Sequence, residues 1–107
     1  METPEIHKQL SVSSFNEVWE LLDKSDRSNE ENRLMREMAH ASLFHWLKRE
    51  DCQHMNLSIG LWLVSRVYAV LGKFTEATSY AAECIEVSER NTLSPFCLGR
   101  LPLGQPS

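Results

Sequence analysis

The chain has 107 residues, a net charge of -4 at pH 7, 42% apolar residues and three cysteines. That is the length of one small domain, which buries a smaller share of its surface than a larger one does. The acidic balance excludes general nucleic-acid binding, which needs a basic face to neutralise phosphates; the short basic clusters Arg33 with Arg36 and Lys48 with Arg49 sit among acids, as solvated helix faces do.

The first ten residues, METPEIHKQL, lack the basic and apolar regions of an export signal, so a cytoplasmic location is expected. Residues 1–12 mix Pro4, charges and polar groups without a sustained apolar period and read as a flexible arm. Ser14 and Glu17 have the spacing of a capping box, in which each side chain satisfies a backbone donor of the other, and they predict a helix start. Phe15, Val18, Trp19 and Leu22 then recur at helical spacing, and residues 23–29 (DKSDRSN) read as a turn.

Ser28 with Glu31 repeats the capping-box pattern, and no proline or glycine interrupts the chain as far as Arg49, which predicts one long helix. Leu34, Met38, Ala41 and His45 share one face of it; Met35, Ala39, Ser42 and Trp46 share the adjacent one, a stripe wide enough for two neighbours. After a loop at residues 50–56 comes the most apolar stretch, IGLWLVSRVYAVLG at 59–72, broken only by Ser65 and Arg66. A helix apolar nearly all round is a buried helix, and this one is too short to span a bilayer, which takes about 20 apolar residues. No membrane is implied.

Gly72 closes that helix, and the short connection to the next apolar run, Phe74 to about Glu89, makes the two antiparallel neighbours. Ala77, Ala81 and Cys84 present a strip of small side chains. Residues 92–107, with Pro95 and then LGRLPLGQPS, read as an irregular tail, leaving 13–91 as the helical domain.

Two groupings invite a chemical reading. Glu37 and His40 are an E-x-x-H pair on one helix face, as in di-iron carboxylate bundles, but such sites need a second pair and two more glutamates, which are absent. His45, Cys52 and His54 would offer soft ligands for zinc, or a thiol beside an imidazole, if they converged where the long helix meets its loop. A metal- or thiol-dependent enzyme built on Glu37, His40, His45, Cys52 and His54 is therefore the alternative reading. Against it, His40 and His45 lie about 140° apart on a helix and cannot chelate one ion together. The bland reading makes His45 a hydrogen-bonded boundary residue and His40 an ordinary surface side chain. Cys52, Cys84 and Cys97 are odd in number and contain no C-x-x-C, which suits reduced thiols in a reducing compartment.

Tyr68, Gly72, Phe74 and Ala77 with the small residues beyond them resemble one tetratricopeptide repeat, over roughly residues 59–89, although the proline usual near its end is replaced in the region of Glu89. More narrowly, AHASLFHW (39–46) followed by SRVYAVLGKFTEA is similar to an uncharacterised group of all-helical tetratricopeptide-like bacterial proteins. That group continues with another helical pair after the position of 96–99, where this chain reads LPLGQPS, so the resemblance implies a shortened relative. It also implies an all-α fold of four helices in two antiparallel hairpins. The expected function is a non-enzymatic protein or peptide interaction module without cofactor or metal. Trp62 and Arg66, one turn apart, would line the inner face such repeats use for binding, with Tyr68 and His40 beside them. An aromatic and an arginine are frequent in binding hot spots. An equal reading pairs Arg66 structurally with Glu37 or another acid of the long helix. The apolar edge expected near Val67, Val70, Leu71 and Ile85 would be covered by a protein partner or a second copy of the chain.

Overall fold

In the computed structural model, which describes residues 3–89, four helices follow one another: α1 (Thr3–Leu22), α2 (Asn29–Leu47), α3 (His54–Val70) and α4 (Phe74–Glu89). No strand occurs among the described residues. The chain is all-α, and no helix among the described residues is long and apolar enough to cross a membrane.

The helix boundaries have local causes. At the start of α2 the Glu31 N–H donates to Ser28 Oγ at 3.1 Å and the Ser28 N–H donates to the Glu31 carboxylate at 3.0 Å, so the capping box forms as expected. Lys24 forms an ion pair with the same glutamate, and Arg27 donates to the carbonyls of Leu21 and Lys24, which closes the end of α1. The last turn of α3 ends with Gly72 at φ 78°, its N–H donating to the Ala69 carbonyl at 3.0 Å and that of Lys73 to the Tyr68 carbonyl at 2.8 Å. These two bonds are the Schellman pattern, which needs a left-handed residue at the Gly72 position.

Each helix packs against the next one in the chain. Bonded partners descend along one helix as they ascend along its neighbour: His7 meets His45 while Ser11 meets Ser42, and Ser58 meets Ser88 while Ser65 meets the Ala77 carbonyl. Val18, Met35, Leu63, Val64 and Val67 form the main core between α1, α2 and α3. Leu57, Leu61 and Val87 form a second cluster beside Cys52. Between α2 and α3 the Leu43 side chain lies against Gly60, where a Cβ would stand 3.1 Å from Leu43 Cδ1.

Several expectations are corrected. Residues 3–12 are the first half of α1, not a loose arm, and Ser14 is a buried mid-helix residue, not a cap. In this half His7 and Ser11 face α2 and the turn after it, and hydrogen bonds hold them there. Ser42 Oγ donates to the Ser11 carbonyl at 3.1 Å, and Arg49 Nη1 donates to Ser11 Oγ at 3.0 Å. Arg49 is no solvated charge: its side chain is 11% exposed, stacks 3.9 Å from the Trp46 ring centroid and holds Asp51 through two nitrogens at 2.8 and 2.7 Å. This charge-assisted fork holds the Asp51 carboxyl below its ordinary range. α3 begins at His54, because the Asn56 side chain accepts from the Gln53 N–H at 2.9 Å and starts the helix early. Nor is α3 covered on all sides, since Ile59, Trp62 and Val70 are exposed, while Val67, expected at an open edge, is fully buried. Cys84 is a free thiol, but Cys52 is disulfide-bonded, so three reduced thiols are not what the fold contains. The expected tail at 92–107 lies outside the described residues.

Candidate functional site

α1 and α3 both pack against α2 and leave a furrow between them. Val12, Phe15 and Trp19 stand on the α1 side at successive turns; Ile59, Trp62 and Arg66 stand on the α3 side with the same spacing. At one end Val12, Phe15, Trp46, Asn56, Ile59 and Gly60 enclose a mostly apolar hollow of about 200 Å³. Trp46 of α2 and Gly60 of α3 both line this hollow. Toward the other end Phe15 meets Trp19 edge-on at 6.4 Å, Trp19 lies against Trp62 at 5.9 Å with ring planes 30° apart, and the Arg66 guanidinium sits 5.9 Å from the Trp62 ring centre.

The furrow therefore runs from an apolar hollow to an aromatic ledge that ends in a cation. Trp62 is 45% exposed, and Arg66 is exposed and has no ion pair among the described residues. Glu37, the acid considered as its partner, instead approaches Arg33 one turn away at 4.0 Å. An exposed guanidinium beside an indole is free to meet an incoming carboxylate, and the indole face adds a cation–π attraction that holds its orientation.

No protein-family model, curated protein or solved structure matches the chain. The site rests on its own geometry.

Of the four residues expected to line one groove, Trp62 and Arg66 stand together beside Trp19, and His40 and Tyr68 stand apart from them. Tyr68 is six residues beyond Trp62, about 240° around the helix, and turns to the opposite side of α3. There His40 Nε2 and the Tyr68 hydroxyl share a 2.8 Å hydrogen bond, and Tyr80 of α4 stacks on Tyr68 at 5.8 Å with rings 7° apart. Burial lowers the His40 pKa, and burial raises that of Tyr80, with Tyr68 and Glu83 adding to the rise. Glu83 is itself 8% exposed, and burial pushes its carboxyl up. This cluster joins α2, α3 and α4 and closes on itself.

The residues of the alternative chemical reading are also dispersed. His40 is held by Tyr68, His45 by His7, and Glu37 is exposed; among the described residues no group of three histidines, cysteines or acids is placed to hold a metal ion. Cys52 and His54 are both buried, and His54 Nδ1 has no hydrogen-bond partner among the described residues. Sequence reasoning missed Val12, Phe15, Trp19 and Trp46 as site residues. The signal available was the repeated interval of three and four residues on α1, but nothing in it says which helix stands opposite.

Proposed function

We propose that the protein is a non-enzymatic interaction module, a tetratricopeptide-like pair of antiparallel helical hairpins that holds a peptide segment of a partner protein in the furrow between α1 and α3. The opposed order of bonded partners along successive helices supports the hairpin reading, as does the Schellman turn at Gly72 where the repeat pattern puts its glycine. The observation that carries the function is the open ladder of Phe15, Trp19, Trp62 and Arg66 leading from an apolar hollow. A hollow of about 200 Å³ is smaller than the 300 Å³ or more typical of cofactor and drug-sized pockets, and fits one or two side chains of a peptide. Aromatics and arginine dominate binding energy where they are presented this way, and truncation of such an anchor costs at least about 2 kcal/mol.

Selection of peptides from a random display library tests the reading. Binders of the wild type are expected to lose tenfold or more in affinity on Trp62→Ala and on Arg66→Ala, with His40→Gln, which lies on the other side of α3, close to wild type. Binders indifferent to both Trp62 and Arg66 would sink the assignment. Capture from the native cell with wild type and Arg66→Ala side by side then identifies the natural partner.

A further inference from the structure

At the end of the bundle where α2 begins and α3 turns into α4, Asn29, Asn32, Arg33 and Arg36 of α2 line one open hollow of about 230 Å³ together with Leu71 and Lys73. The four α2 residues recur at intervals of three and four, so one face of the helix carries two guanidinium groups and two amides. Glu30 and Glu37 stand roughly 90–110° round the helix from the middle of that face. In the sequence the two arginines belong to a solvated face with acids among them. The third cation, Lys73, comes from the turn that Gly72 makes, and only the folded chain sets it beside them.

The polar groups of this hollow are donors, and most are uncommitted. Arg36 is half-buried and Lys73 exposed, and neither has an ion pair among the described residues. Arg33 meets the Glu37 carboxylate only at 4.0 Å, with both side chains exposed, and a pair of that kind contributes little. Asn32 Oδ1 accepts from Arg27 Nε at 2.8 Å, which leaves the amide hydrogens as what Asn32 has to offer. Glu31 is held by Lys24 and by the Ser28 N–H, and no carboxylate lines the hollow.

We propose that this hollow binds a diphosphate group, free or at the end of an organic ester. A phosphate monoester carries about −1.5 to −2 charges at pH 7, so three cations exceed what the single charge of a carboxylate balances and suit two linked phosphates. Guanidinium forks match phosphate oxygens two at a time, and the lysine adds a point charge. Half-burial of Arg36 weakens the screening of its charge, so an anion gains most there. The net charge of -4 confines the attraction to this hollow and keeps long polyanions off the rest of the surface. The hollow shares no lining residue with the furrow between α1 and α3, so the two sites stand or fall separately.

The test is calorimetric titration of the full chain with sodium pyrophosphate and, separately, with adenosine diphosphate, at pH 7.5 and low salt, for wild type, Arg36→Gln, Lys73→Gln and Lys48→Gln. Lys48→Gln removes the same charge at the other end of α2. At least one of the two diphosphates is expected to bind the wild type one to one, and the tighter of them names the source of the group. Affinity is expected to fall tenfold or more in Arg36→Gln and in Lys73→Gln and to stay near the wild type in Lys48→Gln, while sodium acetate produces no saturable heat. No binding of either diphosphate overturns the site, and so does an equal loss in all three variants, which marks a general effect of charge. Should a variant lose its helical content, amide chemical shifts of the wild type decide: changes on diphosphate addition centred on Asn32, Arg36 and Lys73 support the hollow, and changes centred elsewhere refute it.

Discussion

Gly72 is the residue whose identity the backbone demands most plainly. Its φ of 78° lies in the left-handed region, and nothing stands within 4 Å of where a Cβ would be, so a substitution there meets backbone strain but no collision. Gly72→Val should cost about 1–2 kcal/mol, read as a lower denaturation midpoint, and an unchanged midpoint would mean that α3 ends without the left-handed stop. His40 and His45 set the pH response. Burial lowers both pKa values in the folded state, so the unfolded chain binds protons first as the medium is acidified. Stability is thus complete above the ordinary imidazole value of about 6.5 and falls as the pH drops through it toward the lowered folded values. Urea midpoints should decline between pH 7.5 and pH 5, and His40→Gln should flatten part of that decline. Burial raises the Glu83 carboxyl and acts in the opposite sense on acidification, so a midpoint that still rises in a Glu83→Gln variant would contradict the burial of both rings.

At the scale of elements, what the sequence displays depends on which force holds each helix. α4 and the α2 cap were legible because their signals are local: Gly72 before Phe74, and Ser28 three residues before Glu31. The end of α3 was legible for the same reason. The first half of α1 was not, because the residues that tie it to its neighbours are His7 and Ser11, and periodicity searches register apolar side chains. Its attachment is written in hydrogen bonds to Ser42 and Arg49, which exist only once α2 is opposite. The furrow was half legible. Trp62 and Arg66 were singled out through the repeat resemblance, which puts them one turn apart on one helix, whereas Trp19 is joined to them only by packing, and Tyr68 stands apart because the interval to it was not a whole number of turns. If α1 is anchored as described, removing residues 1–12 takes away the two hydrogen bonds from Ser42 and Arg49 to Ser11, each worth about 1 kcal/mol, with the helix that presents them. That truncation should lower stability by about 2 kcal/mol or more in chemical denaturation. A truncated chain as stable as the full one would restore the flexible arm.

For the molecule as a whole, the two faces of α3 and α4 differ in how completely they are covered. α4 is packed on α3, and its outer surface carries Phe74, 67% exposed, and Ile85, 59% exposed, with Val70 of α3, 43% exposed, beside the same turn. Phe74 and Ile85 are eleven residues apart, which returns the helix to within about 20° of the same direction, so they lie along one line. Fully burying side chains of this kind contributes roughly 1.5 to 3 kcal/mol each. In a stack of helical hairpins that line is where the next unit would sit. The expected outcome is a symmetric homodimer through the outer face of α4, since a two-fold contact hides one patch with another copy of itself. Sedimentation velocity at micromolar concentration should show the dimer, and Phe74→Glu with Ile85→Glu should return it to monomer without loss of helical content. Peptide selected against the furrow should bind both forms equally, because α1 and α3 present it on a different surface from Phe74 and Ile85. A wild-type chain that sediments as a clean monomer and takes up no apolar dye would show that α4 tolerates its exposed line unaided, and the dimer argued from that line would be lost.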